Sequence, residues 1–173
     1  MSEPFVAMLA GGHPNSLGRT VEVVETVLAD PVRLDELMAL YDQPDEVVRL
    51  RASNALKRIE AERHDLMAPR VEELFERLAT LDQPSAQWTF AQLMLRLDDA
   101  LTPPQRDHAW AVLFAWLRSP DWIVLNATME TLARWAASGT GDGHALRAEL
   151  ERLAGDARKS VAGRARKLLA KMA

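Results

Sequence analysis

Apolar positions recur three and four residues apart along almost the whole chain, the spacing of helices that each bury one face. Val21, Val24, Val27 and Leu28 mark such a face on a helix from about Ser16 to Ala29, and Asp30-Pro31 reads as an N-cap followed by proline at the first helical position. Leu34, Leu37, Met38 and Tyr41 predict the next helix. After the turn Asp42-Gln43-Pro44-Asp45, a longer helix carries Val48, Ala52, Ala55, Leu56 and Ile59. The two-helix phrase then repeats. Residues 66–81 place Val71, Leu74, Phe75, Leu78 and Leu81 on one side, with Pro69 tolerated in a first turn whose N–H groups have no intrahelical partner. Asp82-Gln83-Pro84 copies the earlier turn, and a helix with Ala91, Met94, Leu95 and Leu97 follows. Thr102 and Gln105 are spaced for a capping box that opens a helix with Trp110, Leu113, Phe114 and Leu117. Beyond Ser119-Pro120-Asp121 the stripe is Val124, Thr128, Leu132 and Trp135. Past a glycine-rich break at 139–143 it is Leu146, Leu150 and Leu153, and after Asp156 it is Val161, Ala165, Leu168, Leu169 and Met172.

These stripes keep a nearly fixed spacing. Val48, Ala52 and Leu56 align with Gln87, Ala91 and Leu95, then with Val124, Thr128 and Leu132, then with Val161, Ala165 and Leu169, at offsets of 39, 37 and 37. A period of two helices and a tight turn predicts stacked pairs, each burying its stripe against the next. Composition agrees. The 173 residues hold 27 Ala and 25 Leu against 12 Val and 2 Ile, which favours helix over sheet. The fold class expected is all-α.

Charge and cysteine content narrow the chemistry. The formal net charge of −4 opposes binding of nucleic acid by the chain as a whole, although six basic residues and no acid follow Asp156. With no cysteine there is neither a disulfide framework nor thiolate-bound zinc. No segment reads as a secretory signal or a membrane span, so a cytoplasmic protein without membrane partners is expected.

The segment Asp45-Glu-Val-Val-Arg-Leu-Arg-Ala-Ser-Asn-Ala-Leu-Lys57 resembles the second-helix signature of HEAT repeats, and the stretches starting at Asp121 and Arg158 look like degenerate copies without the Val-Arg pair. With Gly11-Gly12 and Leu17-Gly18-Arg19, the chain is also similar to a group of small bacterial HEAT-like proteins without an assigned activity. The resemblance covers roughly residues 15–172. It implies a right-handed α-α superhelix, an armadillo-like solenoid of about four to five helical pairs, with the second helices lining a concave side. Residues 1–173 then form one repeat domain, with 1–14 an N-terminal extension able to form a short helix and 157–173 a basic capping helix. The family arginine matches Arg49, which the resemblance pairs with Asp42 or Asp45 in a structural role.

No residue cluster announces a reaction, and no enzyme, cofactor or metal site is expected. His13, His64, His108 and His144 share no metal-ligand spacing. The glycine cluster at 139–143 lacks the strand and the lysine of a phosphate loop and reads as a flexible linker. Five tryptophans fall within 48 residues: Trp110 and Trp135 on apolar stripes, Trp88 and Trp122 outside theirs, Trp116 flanking its own. The edge of each second helix beside its core stripe supplies candidate partner-binding residues: Asn54 and Arg58; Trp88, Gln92 and Arg96; Asn126, Glu130 and Arg134; and finally Lys167 and Lys171. This mixed strip suits a protein or peptide more than a catalytic pocket. The expectation is a non-enzymatic binding scaffold. The alternative is nucleic-acid binding, or base-excision repair of the HEAT-like glycosylase type.

Overall fold

A computed structural model describes residues 3–172, and every regular element among them is helical. Met1 and Ser2 of the expected N-terminal extension, and Ala173 of the expected cap, lie outside the described residues. None of the described helices is long and apolar enough to cross a membrane. The chain forms two compact units, one ending at Leu93 and the other beginning at Met94.

The first unit contains α1 (Phe5–Leu9), α2 (Thr20–Ala29), α3 (Leu34–Met38), α4 (Glu46–Glu62), α5 (His64–Met67), α6 (Val71–Arg77) and most of α7 (Pro84–Arg96). Its centre is α4, against which α1, α2 and α5 pack. The stripe expected on α4 is buried throughout, from Val48 to Ile59. Asp45 starts this helix by accepting the Val47 and Val48 N–H groups at 2.8 and 3.4 Å, which satisfies two donors that have no partner within the helix.

Two expectations fail here. The helix predicted from Ser16 begins only at Thr20, and its buried face is Thr20, Val23, Val24 and Val27, while Val21 is 47% exposed and Leu28 only half-buried. The cause lies 35 residues away. Arg51, 1% exposed, donates through Nε to Ser16 O at 3.0 Å, through Nη1 to Leu9 O and Gly11 O at 2.6 Å each, and through Nη2 to His13 O at 3.0 Å. Residues 10–18, with the Leu9 carbonyl at the end of α1, therefore wrap a guanidinium instead of winding into helix. Gly18 belongs to that wrap: it has φ +54°, and a Cβ there would stand 3.0 Å from Arg51 Cζ. The second failure is the single helix expected over 66–81. Pro69 breaks it into α5, a 3-10 turn over Ala68–Arg70, and α6, because a proline ring clashes with the preceding turn once the helix has begun.

The second unit holds the end of α7, then α8 (Pro103–Trp116), α9 (Trp122–Ala137), α10 (Gly143–Leu153) and α11 (Lys159–Lys171). Helix α9 packs on α8, α10 and α11. Val124, Thr128, Leu132 and Trp135 are all at or below 1% exposure, as their stripe predicts. Thr102 and Gln105 make the expected capping box, and Asp121 and Asp142 cap α9 and α10. The equivalent stripe positions Ala52, Ala91, Thr128 and Ala165 are all fully buried, which accounts for small residues recurring there. On α8, Trp110 and Phe114 are only half-buried, contrary to the core position expected of Trp110, and stack on each other at 6.3 Å. The glycine-rich segment supplies part of the cover that the indole has. A Cβ on Gly141 would stand 2.2 Å from Trp110 Cδ2, so this loop lies against the indole, and Gly141, at φ +73°, is placed there for its lack of a side chain.

Candidate functional site

Most of the polar side chains singled out from the sequence belong to the fold. Arg49 does hold a turn, but neither of its partners is a carboxylate: Nε donates to Gln83 Oε1 and Nη1 to Gln43 O. Gln83, 7% exposed, also donates to Glu46 O at 3.1 Å, so the turn before α7 is fastened to the start of α4 by amides. Asp42 is taken by Arg77 at 2.5 Å. Among the histidines, His64 Nδ1 lies 3.1 Å from Glu60 Oε1 and His13 Nδ1 accepts the Asn15 N–H at 3.1 Å. Among the described residues no group of three potential ligands is placed to hold a metal ion.

The predicted strip divides between the two units. In the first, Asn54 is half-buried and its amide donates back to Leu50 O at 3.3 Å, while Arg58 on the same helix is exposed. Trp88 and Gln92, on the first-unit part of α7, are half-buried. In the second, Arg96 is exposed, and α9 brings Asn126, Glu130 and Arg134 together along one edge. Glu130 is clasped from both sides, by Arg134 Nε at 3.1 Å and by Arg164 Nη1 of α11 at 2.9 Å. Partial burial works to raise the Glu130 pKa, but the two guanidiniums outweigh it and hold the carboxyl below its ordinary value.

Asn126 departs from that pattern. Its Oδ1 is buried and accepts no hydrogen bond, an arrangement that costs free energy. One turn before it stands Trp122, 50% exposed. Both line an open cleft of about 430 Å³ whose opposite wall is α11, with Lys159, Gly163, Arg164 and Lys167. The cleft joins residues 37 apart in the sequence and unites an aromatic face with cationic groups. Trp122 stood out in the sequence only as an aromatic residue off its stripe, and Lys167 as an edge residue; Lys159 and Gly163 were missed. The available signal was a glycine in the middle of α11, four residues from a lysine on either side, in a helix with no need of conformational freedom.

Comparison with known proteins adds no neighbour: no family model, no curated protein and no solved structure matches the chain.

Proposed function

We propose that the chain is a non-enzymatic, HEAT-like array of helical pairs that binds a protein or peptide along the exposed edges of its second helices. The observation that carries this reading is the α9 edge, where the indole of Trp122, 50% exposed, lies on an open cleft shared with the cationic groups of α11. An indole left in water costs stability in the isolated chain, and a bound partner relieves that cost by covering the ring. The resemblance of 45–57 to a HEAT second helix supports the same reading, as does the shared buried small residue of the aligned helices.

Replacing Trp88, Gln92, Arg96, Asn126 and Arg134 together by alanine tests it. Folding measured by circular dichroism is expected to survive and recovery of a partner from lysate to be lost; unchanged recovery removes the reading. A second reading, nucleic-acid binding, has one observation in its favour. Residues 94–173 carry twelve basic and nine acidic residues, against nine and sixteen in 1–93, so the second unit alone is cationic. A mobility-shift assay with single-stranded DNA at about 50 mM salt, where phosphate contacts are strong, decides this reading, and no shift discards it.

A further inference from the structure

We propose that the cleft between α9 and α11 binds an extended acidic peptide, with one carboxylate on Lys159, another on Lys167, and an apolar side chain between them against Trp122. The inference rests on the partner-binding reading above and names the ligand chemistry of one of its surfaces.

Gly163 is the first ground. It sits inside a thirteen-residue helix without a positive φ, and a Cβ built on it meets nothing within 4 Å. Neither backbone conformation nor packing within the chain demands a glycine, and glycine weakens a helix. What its absent side chain does leave is an open cleft wall. Lys159 and Lys167 lie four residues to either side of it, on the same stripe of α11 and on the same cleft. Neither lysine has an ion-pair partner among the described residues, whereas Arg164 is occupied by Glu130. The free positive charge of the cleft is therefore two ammonium groups separated by a bare stretch of helix.

That separation selects the ligand. Eight residues of helix place the two lysine Cα atoms about 12 Å apart. Four residues of extended chain span about 13 Å, and side chains at i, i+2 and i+4 share a face. An acidic–x–apolar–x–acidic segment thus presents carboxylates to both lysines and its middle side chain to Gly163 and the Trp122 ring. A polyphosphate strand fits less well, because its charge recurs at every unit whereas the free cations of the cleft are two, about 12 Å apart along the helix.

The test uses fluorescence polarisation of labelled twelve-residue peptides with a central Glu-x-Leu-x-Glu and the x positions randomised. They are compared with peptides in which glutamine replaces both glutamates, and with an oligothymidine of equal length. The full chain is expected to bind the glutamate set at least about tenfold more tightly than the glutamine set. Gly163→Gln is the decisive variant: it restores a helix-favouring residue, so its melting temperature is expected to be equal or higher, while its side chain occupies the cleft and binding falls by about tenfold or more. Lys159→Glu with Lys167→Glu is expected to reverse the preference. Equal binding of both peptide sets, undiminished binding by Gly163→Gln, or preferential binding of the oligothymidine overturns the acidic-peptide proposal. The alanine set on the strip, read by partner recovery, tests the broader reading separately, since a partner held elsewhere on that strip leaves recovery sensitive to it.

Discussion

Arg51 is a buried cation whose partners are all neutral. Its hydrogen bonds run to the carbonyls of Leu9, Gly11, His13 and Ser16 and to the Ser16 hydroxyl, so the charge is balanced by oriented dipoles rather than by a carboxylate. Such a group tolerates no partial replacement, since an ammonium cannot satisfy the same fan of acceptors and would sit buried and under-bonded. Arg51→Lys is expected to lower the unfolding free energy by about 3 kcal/mol in urea titration, with amide exchange over residues 9–18 rising first. An unchanged exchange pattern would show that the loop stands without its guanidinium. Gly141 makes a parallel case at the other end of the chain. Gly141→Ala forces a positive φ on a residue with a Cβ and drives that Cβ into the Trp110 ring, and a cost of about 1–3 kcal/mol with an altered near-ultraviolet tryptophan signal is expected.

At the scale of helices, α9 and α11 are tied by Glu130, which bridges Arg134 on its own helix and Arg164 on α11. Because the folded Glu130 carboxyl titrates below its ordinary value of 4.5, its contribution is complete above that pH and fades as the pH falls through the lowered folded value. Glu130→Gln is expected to lower stability at pH 7 by about 0.5–1 kcal/mol and to flatten the acid limb of the stability profile, as measured by thermal melts from neutral to acidic pH. An acid limb identical to that of the parent would exclude the tie. Helix periodicity made α4, α9 and α10 legible in the sequence, since each has an aspartate cap and an uninterrupted stripe, and the aligned Ala52, Ala91, Thr128 and Ala165 stated the pairing. What stayed hidden was long-range. Nothing local to Ser16–Arg19 says that Arg51 will claim their backbone, and nothing local to Trp122 says that a glycine 41 residues later leaves space in front of it. The candidate site was legible as an edge of α9, through Asn126, Glu130 and Arg134, but not as a cleft, because a cleft needs two walls and periodicity describes one helix at a time.

For the molecule as a whole, the last helix decides how much of the second unit's core survives. Val161, Ala162, Ala165 and Leu168 of α11 are buried, and the helix packs on both α9 and α10, so deleting residues 157–173 bares their stripes as well as losing its own. At about 1.5–3 kcal/mol for each fully buried Val or Leu, Val161 and Leu168 alone account for several kcal/mol, a large share of the roughly 5–15 kcal/mol that holds a domain folded. A marked drop in melting temperature is expected on deletion. The deletion also removes six basic residues and no acidic one, which raises the net negative charge of the remainder and its self-repulsion. The two causes separate in one comparison. Lys159→Gln, Lys167→Gln and Lys171→Gln together lower the cationic charge of exposed positions and keep the buried stripe, and this variant is expected to melt within a few degrees of the parent, because surface substitutions away from special features shift stability by only about 0.5 kcal/mol. If the triple variant fell as far as the truncation, charge rather than apolar cover would be the contribution of α11. If the truncated chain melted with the parent, α11 would not be a structural cap at all, and its lysines would be left with binding as their only use.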